Sequence, residues 1–171
     1  MKAEKDFIIE YLKKAGVHGK IHESMKSLRN CNETHVGAVL RVKESLTRSK
    51  SKKIYEDQAG QWLTRKRLFE RVTIVHVVIA DSDDEKVDKI FTQFLTMIPK
   101  GLAVEGNWVE VELGEAEWVD GEDSILRSKV AVEFDVTMTG GVYIDKEMKH
   151  IALHVPNEGK ADEDGKIVLE N

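Results

Sequence analysis

Val72-Thr-Ile-Val-His-Val-Val-Ile-Ala80, followed at once by Asp81-Ser-Asp-Asp84, is the stretch that decides the fold. The first run is apolar on both faces, which marks a central strand covered on both sides. The acids after it offer helix N-caps and suit the positive end of a helix. Val87, Ile90, Phe91, Phe94, Leu95 and Ile98 then fall on one helical stripe, and Pro99 and Gly101 end it. Strand followed by covering helix is the unit from which the rest is read.

Downstream, two long strands are expected. Over Trp108 to Val119, Val109, Val111 and Leu113 point one way and Glu110 and Glu112 the other. Asp120 to Asp123 reads as a turn. From Ile125 to Thr139 the alternation is cleaner: Val130, Val132, Phe134, Val136 and Met138 face a core, while Lys129, Ala131, Glu133, Asp135 and Thr137 face out. Gly140-Gly141 is expected to end the strand. Upstream, Phe7, Ile8, Tyr11, Leu12 and Ala15 predict a helix over 2–15 that Gly16 stops. Residues 16–34 read as irregular. Val36 to Val42 predicts a strand in which Val36, Ala38, Leu40 and Val42 alternate with Gly37, Val39 and Arg41, 43–53 predicts an exposed loop or a strand extension, and Lys53–Glu56 with Leu63–Ala80 a pair joined by a turn at 57–60.

The fold class this gives is α+β, a mixed or antiparallel β-sheet with helices packed mainly on one face. Residues 1–143 form that domain. After Tyr143 the character changes: Ile151 to Val155 and Lys166 to Glu170 flank a polar link, which predicts a C-terminal hairpin or arm over 144–171.

A chain of 171 residues, 41% hydrophobic and 33% charged, can bury a core without disulfide or metal staples. The single cysteine, Cys31, permits no internal disulfide, and no apolar run approaches the length of a membrane span. No signal peptide is evident, so folding in cytoplasm and no membrane partner are expected.

The net charge of −5 is unevenly spread. Residues 41–71 hold ten Lys/Arg against four acids, and residues 105–171 hold seventeen acids against six bases. Segments of opposite sign attract each other between subunits, head to tail, or stand simply as solvated faces. The basic candidates for an interface are Arg48, Lys50, Lys52, Lys53, Arg65, Lys66 and Arg67; the acidic ones are Glu110, Glu112, Glu133 and Asp135, a stripe on two adjacent strands. Those acids are opposed by bases of another subunit, are hydrated, or line a channel that keeps DNA from sticking.

Chemistry is sparse by comparison. The pairs His18/His22 and His150/His154 have zinc-like spacing, but Cys31 is the lone thiol and no motif supplies further ligands. His76 sits inside an apolar strand with no nucleophile motif beside it, although a cleft near His76 and the acids of 81–85 is the place for a small enzyme or ligand-binding domain. Arg29 beside Cys31 lacks an accompanying base. No glycine-rich loop opens a helix to cradle phosphate, so no cofactor is expected. Nucleic acid would meet the basic segment 41–71, where only Tyr55, Trp62 and Phe69 could stack on bases, and the sequence pI of about 5.7 opposes tight general binding.

The strand Arg71–Ala80 ending in Asp81, the helix Asp84–Ile98 with its exit at Pro99 and Gly101, and the strand pair 107–139 closing on Gly140-Gly-Val-Tyr143 together resemble the tail terminator (tail completion) proteins of tailed bacteriophages and related phage-tail-like particles. The resemblance covers about the first 143 residues in layout; the Lys/Arg-rich segment and the tail 145–171 are additions to it. It implies a hexameric homo-oligomeric ring on the head-proximal end of the tail tube, assembled in the bacterial host cytoplasm and residing in the virion tail. Such a ring stops tube growth, binds the tail tube protein, offers a joining surface to a head-completion or neck protein, and in a contractile particle touches the sheath protein. DNA passes through without tight binding, and no catalysis is implied. A tube or head-completion protein is the nearest alternative.

Overall fold

The computed structural model describes residues 2–57, 59–120 and 130–147. In chain order the elements are α1 (Lys2–Lys14), β1 (Ile21–His22), α2 (Met25–Arg29), β2 (Val36–Arg48), β3 (Lys52–Glu56), β4 (Trp62–Asp81), α3 (Asp84–Met97), β5 (Gly101–Val104), β6 (Asn107–Val119) and β7 (Val130–Glu147). The strands form one sheet in the order β1-β2-β4-β7-β6-β5, with β3 pairing β4 beyond the end of β2. Only β1 and β2 run parallel; every other pairing is antiparallel. The fold is therefore α+β with a mixed sheet, as the sequence predicts.

The run Val72–Ala80 is the middle of β4 and is covered on both sides. Val75, Val77 and Ile79 enter the main core with Ile8 and Leu12 of α1, with Val87, Ile90 and Phe94 of α3, and with Val132, Phe134, Val136 and Met138 of β7. Val78 and Ala80 point the other way, into a smaller core under α2 with Leu28, Val36, Ala38, Leu40 and Ala131. Each large side chain buried in this way contributes about 1.5–3 kcal/mol. Asp83 caps α3, its side chain accepting the Glu85 N–H, and the helix ends at Ile98 as Pro99 approaches.

Three expectations are corrected. Ala131 of β7 does not face out; it is fully buried in the smaller core with Leu28 of α2, a helix that together with β1 lies within the stretch read as irregular. Val42 does not continue the alternation of β2. A bulge between Arg41 and Lys43 throws it into solvent, and β2 goes on to Arg48, which makes 43–48 the strand extension and not a loop. Gly140-Gly141 does not end β7. The strand passes through both glycines to Glu147, because a Cβ on Gly141 would crowd Arg67 and the Tyr143 ring, so only glycine keeps the ladder continuous there. The division between 143 and 144 thus falls inside a strand; the hairpin or arm predicted further on, like the turn at 121–123 and the His150/His154 pair, lies outside the described residues.

The helices cover only part of this sheet. In β4 the buried residues run from Thr73 to Asp81, and in β7 from Ala131 to Met138. The remainder, residues 62–67 of β4 with β3 and the end of β7, is a three-stranded ribbon that projects past the cores. Between β5 and β6 the chain reverses in a two-residue loop, with φ of 50° at Glu105 and 73° at Gly106, the tight turn that suits the twist of an antiparallel hairpin.

Candidate functional site

The basic residues singled out from sequence gather on and around the projecting ribbon, and they divide by face. β3 and β4 pair without a shift from Lys52↔Lys66 to Glu56↔Trp62, and β4 pairs β7 from Leu63↔Glu147 to Arg67↔Tyr143. Direct partners share a face and neighbours alternate. One face therefore carries Lys53, Tyr55, Leu63, Arg65, Arg67, Tyr143, Asp145 and Glu147; the other carries Lys52, Ile54, Glu56, Trp62, Thr64, Lys66, Ile144 and Lys146.

The first face is satisfied from within the chain. Arg65 donates from Nε and Nη2 to the Asp145 carboxylate at 2.8 and 2.6 Å, from Nη1 to Asn107 Oδ1 at 2.9 Å and to the Gly106 carbonyl at 3.2 Å, and its guanidinium lies over the Tyr55 ring. That fork, bidentate on a carboxylate, is the strong form of such a pair. The Arg65 guanidinium beside it holds the Asp145 carboxyl below its ordinary range, with the Tyr55 hydroxyl adding to the effect. Arg67 is likewise engaged, by Glu70 at 3.0 Å and Ser49 Oγ at 3.2 Å, and Arg48 stacks over Phe69. Arg48, Arg65 and Arg67, candidates for an interface from sequence, all have partners within the chain, and Arg65 ties the ribbon to the β5–β6 turn.

The second face is not satisfied. Lys52 sits directly opposite Lys66, a like-charge pair that destabilises a sheet unless an anion offsets it, and no carboxylate among the described residues pairs with either. Ile54, Trp62 and Ile144 are 52%, 50% and 41% exposed on the same face. Lys50 and Lys53 are exposed beside it.

The acids behave differently again. Glu110 pairs with Thr139 and Glu112 with Thr137, so these acids share the face of Glu133 and Asp135 on the adjacent strand but stand further along it, not directly opposite them. Glu133 instead faces Glu117, which sequence reading passed over. His76 lies opposite Asp135, and its ring is held by Asp135 Oδ1 at 2.8 Å and Glu133 Oε2 at 3.2 Å. The only cue to this was parity: His76, Glu133 and Asp135 occupy matching faces of neighbouring strands.

No protein-family model matches the chain, and no curated protein does so either.

Neither edge of the sheet is closed. β1 covers β2 only at Gly37 and Ala38, and nothing among the described residues pairs with the outer side of β2 from Val39 to Arg48 or with the outer side of β3. At the other end β5 covers β6 only as far as Glu110, which leaves Glu112–Val119 open. The open β2–β3 edge bears Lys43, Arg48, Lys50, Lys52 and Lys53; the open β6 edge bears Glu112, Glu115 and Glu117 and no base.

The remaining polar clusters are local. Asp81 pairs with His35 at 2.8 Å and not with His76, so the acids of 81–85 and His76 form no common cleft. Burial pushes the Asp81 carboxyl up, but hydrogen bonds from His35 and from the Ser82 N–H and hydroxyl outweigh it and hold the group below its ordinary value. His35 Nε2 accepts the His18 N–H, which leaves Nδ1–H to donate to Asp81. His22 bonds Ser27 Oγ at 2.7 Å. Cys31 is a half-buried free thiol against the smaller core. Among the described residues no group of three His, Cys, Asp or Glu side chains is arranged to hold a metal, and no helix is long and apolar enough to cross a membrane.

Proposed function

We propose that this chain is a structural virion protein that assembles into a homomeric, hexameric ring on the head-proximal end of a phage tail tube. The ring ends tube growth and presents a surface to which head-completion or neck proteins join. The work done is geometric: each subunit covers one subunit of the tube end, and closure of the ring leaves no face for the next tube ring to occupy.

The observation that carries this reading is the projecting ribbon. β4 and β7 outrun the helices that bury them, and the overhang presents Ile54, Trp62 and Ile144 with Lys52, Lys66 and Lys146 around them on a face where no carboxylate among the described residues pairs with Lys52 or Lys66. Exposed apolar side chains set among lysines, with Glu56 opposite Trp62, make a surface for another protein, with an aromatic anchor and a polar rim. The polar side chains that do converge, around Arg65 and around His76, are spent on each other and hold the sheet together. The resemblance to tail terminator proteins supplies the kind of partner.

Sedimentation of the purified protein, alone and with assembled tail tubes, tests the reading. A ring that decorates one end of each tube by electron microscopy supports it. A protein that stays monomeric at every concentration and binds no tube end overturns it, as does turnover of a small molecule by the purified chain.

A further inference from the structure

We propose that the chain's own acidic end, residues 162–170, adds a strand to the open outer edge of β3 and closes the lysine-bearing side of the ribbon. This cover does not depend on the ring reading above; it occupies an edge that the ring reading leaves open.

The hydrogen bonds show which groups that edge leaves free. The Arg67 N–H donates to the Ser51 carbonyl at 2.9 Å, and the Asp57 N–H to the Gln61 carbonyl at 2.9 Å. Both bonds lie on the β3–β4 register, in which Lys52 pairs Lys66 and Glu56 pairs Trp62. In an antiparallel ladder hydrogen-bonded pairs alternate with non-bonded ones. Lys53 and Tyr55 therefore bond to β4. The N–H and C=O groups of Lys52, Ile54 and Glu56 point outward, where no strand among the described residues meets them. Such a row is met by water or by another strand, and left bare it templates unlimited strand pairing.

The place where β7 ends selects the occupant. Its last residue, Glu147, stands opposite Leu63, which stands opposite Tyr55 of β3. The 24 residues that follow, 148–171, therefore start level with the open edge. A strand laid outside β3 is three strand spacings from β7, about 14 Å. Residues 148–161 reach roughly three times that distance when extended. β7 and β3 both run toward the tip of the ribbon, so a segment that crosses the tip and turns back runs antiparallel to β3.

Charge picks the segment. Residues 48–53 hold Arg48, Lys50, Lys52 and Lys53 and no acid; residues 162–170 hold Asp162, Glu163, Asp164 and Glu170 and one base, Lys166. The apolar run nearer to Glu147, Ile151 to Val155, has no carboxylate to answer those lysines. Ile167, Val168 and Leu169 supply strand-forming side chains, and Leu46, 56% exposed further along the same edge, offers them apolar surface. A tether of this length holds the segment near its own edge at roughly millimolar concentration, so it binds there before the segment of another copy does. The added strand extends the ribbon in its plane and leaves the face of Trp62 open.

Hydrogen exchange of the full chain at Lys52, Ile54 and Glu56 tests the cover. One variant carries Asp162→Lys, Glu163→Lys and Asp164→Lys, a second Lys50→Glu, Lys52→Glu and Lys53→Glu, and a third all six changes. With the segment in place, the three outward amides exchange about tenfold or more faster in each triple variant than in wild type, and the combined variant returns to within about threefold of wild type. High salt speeds their exchange in wild type. The amides of Lys53 and Tyr55, bonded to β4, report whether the ribbon stays folded; if the second variant loses protection there too, wild type against the first variant decides alone. Equal rates at Lys52, Ile54 and Glu56 in wild type and the first variant overturn the cover. So does protection that the combined variant fails to regain, or that appears only as the protein concentration is raised, the mark of a neighbouring copy's segment. None of these readings needs a tube or a ring, so the fate of the ring reading is decided separately, by sedimentation and tube capping.

Discussion

Arg65 and Asp145 stand 80 residues apart in the chain and directly opposite each other in the sheet, joined by two hydrogen bonds of 2.8 and 2.6 Å. The same guanidinium reaches Asn107 and the Gly106 carbonyl of the β5–β6 turn, so one side chain ties three parts of the chain at the root of the ribbon. The Asp145 carboxyl is held below its ordinary value of 3.8 by that pairing. A carboxylate with a lowered folded pKa contributes stability that is complete above its unfolded value and is lost as the pH falls through that value toward the folded one. The protection of the amides of 52–56 and 62–66 against hydrogen exchange, corrected for the intrinsic pH dependence of exchange, should therefore fall as the pH drops below about 4. The Asp145→Asn variant should show the faster exchange already at neutral pH and a weaker dependence on acid.

Phe134 and Asp135 are neighbours on β7 with opposite surroundings. Phe134 is 3% exposed and packs against Phe91 and Phe94 of α3; Asp135 lies on the other face beside His76. Phe134→Ala should cost about 3–5 kcal/mol, the usual loss for an emptied aromatic core site. Asp135→Ala should cost about 1 kcal/mol, one hydrogen bond on a partly exposed face. Urea unfolding measures both, and equal losses would mean that the parity of β7 is wrong.

His76 bridges Glu133 and Asp135, and Glu117 stands opposite Glu133. Replacing the imidazole by an aliphatic group leaves three carboxylates crowded on one face. His76→Leu should lower stability by roughly 1–2 kcal/mol, two lost hydrogen bonds with added like-charge repulsion. Added salt should return part of the loss by screening. Greater stability in the variant would show that burying the leucine outweighs the polar bridge.

The elements set by hydrophobic period alone were legible in the sequence: β4 with its doubly apolar centre, α3 between the Asp83 cap and Pro99, and the inward side of β7. What period does not encode is a change of parity. The bulge at Val42 falls where the alternation over Val36–Val42 gives way to the polar run Lys43–Arg48, which carries no apolar period, and the shift around Gly114 and Glu115 breaks the pairing of β6 just after a partly exposed Leu113, so both strands looked simpler than they are. Pairings between distant strands were equally hidden. Nothing local to Arg65 points to Asp145, so an arginine that holds the ribbon together shows in the sequence only as one charge of a basic segment.

Trp62 gives the sharpest separation of stability from contact. It is half exposed at the tip of the ribbon, on the face of Lys52 and Lys66, and it belongs to neither core. Its removal takes away no packing that the folded subunit relies on, so Trp62→Ser should change unfolding free energy by no more than about 0.5 kcal/mol. A tryptophan at the centre of an interface is another matter, since truncating such an anchor costs about 2 kcal/mol or more, some thirtyfold in affinity. The variant should therefore fold as wild type does and bind tube ends at least tenfold more weakly, read from the fraction of tubes capped at matched concentrations. Lys66→Glu on the same face should weaken capping further as salt is lowered, because a carboxylate there meets the anions that the lysine pair attracts. If Trp62→Ser caps tubes as well as wild type, the ribbon is not the surface that meets the tube.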